Sequence, residues 1–166
     1  MQIVISDSSV LISLSKIGQL ELIHKIFPDG ILIPEEVWIE VVENGQERPG
    51  AIQVKKAKWI KVKKIKNHRL ANLLKMELDN GEAEAITLAS EINADLILID
   101  ERDARRIAKN LDLKVLGTIG ILIWAKQTGK IPSLKKVLSE LIDNAGFRVS
   151  KSVYIKALKA VNEQSK

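Results

Sequence analysis

The chain has 166 residues, 46% hydrophobic and 28% charged, the profile of one soluble globular domain able to bury a sizeable core. It has no cysteine, which excludes disulfides, thiolate metal sites and cysteine nucleophiles, and its two histidines give little basis for a zinc site. The opening MQIVISD lacks the basic region and long apolar core of a signal peptide, and no apolar run reaches membrane-helix length, so the expectation is a cytoplasmic protein without membrane contact. A formal charge of +5 is compatible with a polyanionic partner without demonstrating one, and it is segregated: KKAKWIKVKKIKNHR, from Lys55 to Arg69, holds eight basic residues and no acid. Acids gather instead from Glu35 to Glu47 and from Asp79 to Asp103.

QIVIS reads as a short apolar strand, followed by SSVLISLSKIG with Val10, Leu11, Leu14 and Ile17 at helical spacing and Gly18 as its stop. QLELIHKIF continues as a helix, DG turns, ILI is a strand, and PEEVWIEVVENG is a helix opened by Pro34 and closed by Gly45. ENGQERPG reads as a loop. WIKVKKI follows as a Lys-rich edge strand with Ile60 and Val62 on its inner face, its lysines discouraging pairing between molecules. Then come helical RLANLLKMEL, a break at DNG, helical EAEAITLASEI, and ADLILID, the clearest strand of the chain. ERDARRIAKNL is a helix, LKVLGT a short strand, and IGILIWAKQTGK a helix apolar almost all round, either covered or presenting Trp124 to a second subunit. Two helices close the sequence, SLKKVLSELIDNAG and SKSVYIKALKAV.

Strands that are continuous Ile, Leu and Val runs, alternating with helices, indicate a three-layer α/β/α sandwich around a mostly parallel sheet. Without an internal repeat or a Pro/Gly-rich linker, residues 1–166 read as a single domain, with the helices of 132–163 packed on it. In such a sheet the carboxyl ends of the strands surround the ligand crevice. Asp7 ends the first strand and Asp100 ends ADLILID, with Asp103 one turn later. Glu82 and Glu84 open the helix that leads into that strand, and Glu40 projects from the helix after ILI. Each acid has a plain structural alternative. Asp100 and Asp103 can cap their helix, and Glu40 belongs to a run of Glu36, Glu40, Glu43 and Glu47 that resembles a solvated face. Their convergence at one buried rim favours chemistry, because mutual repulsion there calls for a cation, and oxygen-only ligands suit Mg²⁺ or Mn²⁺. His24 and His68 are read as ordinary surface or packing residues, and Trp59 as part of an edge strand rather than a base-stacking platform.

IVISDSSVLISLSKI, IPEEVWIEVV, GEAEAITLA and LILIDERDARRIA with KVLGTIGILI, in this order and spacing, resemble the PIN-domain family, the nuclease fold of VapC-type toxins, and within it small single-domain prokaryotic members. The resemblance places that family's four acids on Asp7, Glu40, Glu82 and Asp100 and its small hydroxyl residue on Ser9. It implies a ribonuclease acting on single-stranded or exposed structured RNA, in which Asp7, Glu82 and Asp100 hold one or two Mg²⁺ or Mn²⁺ ions, Glu40 completes the ligand set or positions the attacking water, and Asp103 serves a second ion or caps its helix. Arg102, Arg105 and Arg106 either grip flanking phosphates or form a solvated helix face. A homodimer, and an antitoxin protein where the chain is a toxin, are the partners the resemblance implies. The chain departs from many toxin members in two places: Glu82 stands where Asp is common, and Leu98 where Thr is common two residues before the last Asp. Glu84 competes with Glu82 as the ligand. Two rival readings are a phosphatase resembling the haloacid dehalogenases, disfavoured by Ser9 where that family has a second Asp, and a PIN-like module that binds RNA or protein without efficient chemistry.

Overall fold

The computed structural model describes residues 1–163. Its strands are β1 (Val4–Ser6), β2 (Ile31–Ile33), β3 (Ile60–Val62), β4 (Leu96–Leu98) and β5 (Val115–Leu116), all parallel, in the order β3-β2-β1-β4-β5. The helices are α1 (Ser8–Lys16), α2 (Glu21–Ile26), α3 (Glu35–Trp38), α4 (Pro49–Lys56), α5 (His68–Leu74), α6 (Asn80–Glu91), α7 (Arg102–Asn110), α8 (Thr118–Gln127), α9 (Leu134–Ala145) and α10 (Lys151–Ala160). Helix α3 runs on into a π-helical turn at Ile39–Glu43.

Side chains of the central strands are buried on both faces, which is why the strands read as unbroken apolar runs. Ile5, Ile97 and Ile99 pack under α6 and α7 with Ile86, Leu88 and Ala104. Val4 and Leu98 point the other way, into the larger cluster built with Leu11, Leu14, Ile121, Leu134 and Leu138. These two clusters on opposite faces of one sheet make the expected α/β/α sandwich. Helix α6 lies deepest: its residues from Gly81 to Ala89 are all buried, and its alanines allow close approach to β1 and β4. Helix α9 packs on α1 and α8, and α10 packs on α8.

Several local expectations are revised. Pro49 opens a helix, α4, inside what reads as a loop and a basic run, because only Ala51 and Val54 of its eight residues are buried and no apolar stripe announces it. Asp79 caps α6 and takes Asn80 and Gly81 into the first turn, so DNG starts that helix rather than breaking it. In β3, at the sheet edge, Ile60 is buried but Val62, expected beside it on the inner face, is 44% exposed. Trp124 is 37% exposed and meets Phe27 edge-on at 5.6 Å, so α8 is neither fully covered nor fully bare. Trp59 stacks on His24 at 5.1 Å, which accounts for both residues as packing groups.

Candidate active site

Strand order reverses between β1 and β4, which are neighbours although their following helices diverge to opposite faces, and that is where an open parallel sheet forms its crevice. Register places Ser6 opposite Leu98, and the Asp7 N–H donates to the Leu98 carbonyl at 3.0 Å. The residues just beyond the two strands therefore emerge side by side: Asp7 on one, Asp100 on the other.

Asp7 is 1% exposed. Its carboxylate accepts the Val10 N–H at 3.1 Å, capping α1, and the Ser9 hydroxyl at 3.0 Å. Burial pushes its carboxyl well above the ordinary range against the pull of these hydrogen bonds, and the nearby charges of Asp100 and Glu82 add to the rise. Asp100 does not cap its own helix; Glu101 does, accepting from the Ala104 N–H at 2.9 Å. The Asp100 carboxylate turns instead to the start of α8, where the Thr118 N–H donates at 2.7 Å and the Thr118 hydroxyl at 2.6 Å. Burial raises its carboxyl, while Thr118 and the Arg105 guanidinium oppose the rise.

Glu82 is the far half of a reciprocal cap: it accepts the Asp79 N–H at 3.2 Å while Asp79 accepts the Glu82 N–H at 2.8 Å. Burial, then the neighbouring Asp79 charge, push its carboxyl up to about 7. Glu84 faces elsewhere. It accepts the Glu36 N–H at the start of α3 at 3.3 Å and stands 3.7 Å from the Lys75 ammonium, whereas it is the Glu82 charge that bears on Asp7.

The π-helical turn aims Glu40 inward, out of the solvated face its spacing suggests. One carboxylate oxygen accepts the Ser8 hydroxyl and the other the Gly81 N–H at 2.9 Å, tying the first turns of α1 and α6 together. A Cβ on Gly81 would lie 2.5 Å from a Glu40 carboxylate oxygen, so only glycine lets this carboxylate reach the α6 backbone. Burial raises the Glu40 carboxyl, with the Ser8 bond opposing. Asp103 is not part of the cluster. Its side chain is 64% exposed and stands 3.9 Å from the Arg106 guanidinium.

The centre is thus built of oxygen donors around the buried Asp7, with the Arg105 guanidinium compensating Asp100 in part. Among the described residues, no three His, Cys, Asp or Glu side chains are grouped closely enough to hold an ion as they stand. The donor chemistry still fits a hard divalent cation: the charges of Asp100 and Glu82 both bear on Asp7, and among the described residues no basic side chain bonds to Asp7. Sequence reasoning missed Ser8, Asp79, Gly81 and Thr118. Only Asp79 left a signal, the D-x-x-E spacing of a capping box in DNGE.

A family model described as PIN domain matches residues 3–163. The chain belongs to the PIN-domain family. PIN domains are in general nucleases that use divalent metals, and the five-stranded parallel sheet of this one is the PIN-like fold. A PilT N-terminus domain protein from the hyperthermophilic archaeon Sulfolobus solfataricus P2 is similar at 16% identity, covering 86% of this PIN domain and 95% of that chain, with a TM-score of 0.42. No curated protein matches the sequence significantly. No helix among the described residues is long and apolar enough to cross a membrane.

Proposed function

We propose that this PIN domain, as one unit over residues 1–166, is a Mg²⁺- or Mn²⁺-dependent endoribonuclease that hydrolyses phosphodiester bonds of single-stranded or exposed structured RNA. The observation that carries the reading is the buried carboxyl group of Asp7, whose own partners are one N–H and one hydroxyl, beside the charges of Asp100 and Glu82 at the switch point of the sheet. Asp7, Glu82 and Asp100 would hold the ion. A divalent ion in that place supplies Lewis-acid polarisation of the phosphate and a more acidic water for in-line attack. The protein's own part is positional: Thr118 fixes Asp100, Val10 and Ser9 fix Asp7, and Glu40 locks the helix starts that carry Ser8 and Glu82. The same reading carries a cytoplasmic toxin role with an antitoxin partner, and a homodimer, for which the exposed edge of Trp124 is the apolar surface at hand.

The deciding test incubates the purified protein with a mixed single-stranded RNA pool in Mn²⁺ or Mg²⁺, with EDTA and Asp100→Asn as controls. Metal-dependent cutting lost in the variant is expected. Metal binding by thermal shift without cutting of any RNA or DNA would favour the binding-module reading. Gly81→Ala gives a second check. Its melting temperature should fall by several degrees, because the lost bond to the Glu40 carboxylate, worth about 1.5–3 kcal/mol, is offset only in part by the gain of up to about 1 kcal/mol from alanine in a helix. Cleavage should fall roughly 10- to 100-fold as Glu40 is pushed off the α6 backbone.

A further inference from the structure

Helix α7 carries Arg102, Arg105, Arg106 and Lys109 at positions i, i+3, i+4 and i+7, one continuous cationic stripe, while Ala104 and Ala108 pack inward. Like charges at this spacing oppose helix formation. Among the described residues, the ion pairs the stripe makes are those of Arg106, with Asp103 at 3.9 Å and Glu77 at 4.0 Å, both on exposed side chains. Arg105 also acts on Asp100, so the fold accumulates charge here and neutralises it only in part.

The stripe forms one wall of a cleft of about 740 Å³ whose lining also includes Asp100, so the cleft opens onto the acidic centre. Its other wall differs in kind. The segment joining α9 to α10 contributes the half-buried Phe147 and the exposed Arg148, and α10 adds Val153, 43% exposed. One wall suits phosphates and the other suits the faces of bases. From Arg102 to Lys109 the stripe runs about 10 Å at 1.5 Å per residue, enough for a short backbone segment.

We propose that this cleft binds a single nucleic-acid strand leading into the acidic centre, with its phosphates along α7 and its unstacked bases against Phe147 and Val153, while Arg148 closes the far side. A duplex hides its base faces and could not use the apolar wall. The inference rests on the nuclease reading for its substrate class and adds where the strand lies and why it must be single.

The test measures anisotropy of a short labelled RNA strand in EDTA, where no turnover occurs. The proteins are the full chain, the Lys109→Ala/Arg148→Ala double variant, Phe147→Leu, and Lys61→Ala/Lys63→Ala as a control with equal charge loss on the β3 edge. The cleft double variant should bind about tenfold more weakly at moderate salt, with the salt slope reduced by about 0.7 for each phosphate that is no longer neutralised. Phe147→Leu should weaken binding at an unchanged slope, and the β3 control should bind like the parent. Equal weakening in both double variants, equally tight binding of a duplex, or displacement by an acidic peptide as effective as by unlabelled strand would each overturn the proposal, the last in favour of a protein segment as occupant. Strand binding by the cleft without cutting in Mn²⁺ overturns the nuclease reading alone; cutting unchanged in the cleft double variant overturns the cleft alone.

Discussion

Asp7→Asn is expected to melt higher than the parent protein in EDTA and to lose RNA cleavage in Mn²⁺ by more than about 100-fold, since even partners outside a metal's ligands are worth about 10–100-fold. The two effects share one cause. Asp7 is buried, its donors are one N–H and one hydroxyl, and it faces the charges of Asp100 and Glu82. An amide has the same shape, still accepts the Val10 N–H as a helix cap, and can donate to the Ser9 oxygen, so what is lost is the charge. Each kcal/mol thereby relieved is worth about 2–4 °C in a chain of this size. The sign of the pH dependence follows from the raised carboxyl. The folded chain binds more protons than the unfolded one, so stability of the metal-free parent falls as pH rises. Glu82 acts in the same sense between its ordinary value of 4.5 and about 7. The advantage of Asp7→Asn should accordingly vanish in acid, where both chains carry neutral groups, and grow toward neutral pH. Mn²⁺ should raise the melting point of the parent and leave the variant unmoved. Thermal melts at acid and neutral pH, with and without Mn²⁺, read all of this. A variant that melts lower at neutral pH in EDTA would show that the fold already balances the Asp7 charge, and the metal argument would lose its ground.

How far the sequence shows all this depends on the range of the interaction. Sandwich architecture is legible because burial on both faces forces β1, β2 and β4 to be unbroken Ile, Leu and Val runs, and because Asp7 and Asp100 stop two of those runs. Helix α4 is not, since only two of its eight residues are buried, and its Pro49 start and Lys55–Lys56 end merge into a loop-like stretch and a basic run. The same division runs through the site. Acids at strand ends can be named from local pattern, but the residues that orient them come from elsewhere: Ser8 lies 32 positions from Glu40, Gly81 41 positions from it, and Thr118 18 positions from Asp100. Small residues of this kind carry no periodic signature. Even the cap is misread locally, because Asp100 and Glu101 are adjacent candidates and only the position of α8 decides that Asp100 turns away and Glu101 takes the α7 N-terminus. The cationic stripe of α7, by contrast, is visible in ERDARRIAKNL as three arginines, but the opposite wall that makes it a cleft arrives more than thirty residues later at Phe147.

Leu98 shows what such distance conceals, and it leads to the second large effect, in Thr118→Val. By local pattern, leucine two residues before Asp100 removes a hydroxyl that could orient the site. In the fold, a hydroxyl reaches Asp100 from the junction of β5 and α8: Thr118, 0% exposed, donates its hydroxyl to one carboxylate oxygen and its N–H to the other. Asp100 is thereby held at both oxygens by one residue, each oxygen keeping a second lone pair free for a cation. Gly117 leaves the space for this, since a Cβ there would stand 2.8 Å from the carboxylate and 2.6 Å from the Arg105 guanidinium. Valine preserves volume and backbone N–H and deletes one hydrogen bond to a charged group, worth about 1.5–3 kcal/mol. The metal-free protein should melt several degrees lower, cleavage should fall about 10–100-fold, and the Mn²⁺ concentration for half-maximal cleavage should rise. Thr118→Ser, which keeps the hydroxyl and loses only a methyl group, should recover most of the activity and the metal requirement of the parent. That pattern separates a positioning role from a packing role. If the valine variant melts lower but, per folded molecule, cuts as fast and at the same Mn²⁺ concentration as the parent, the Thr118 hydroxyl serves the core alone and Asp100 keeps its orientation without it.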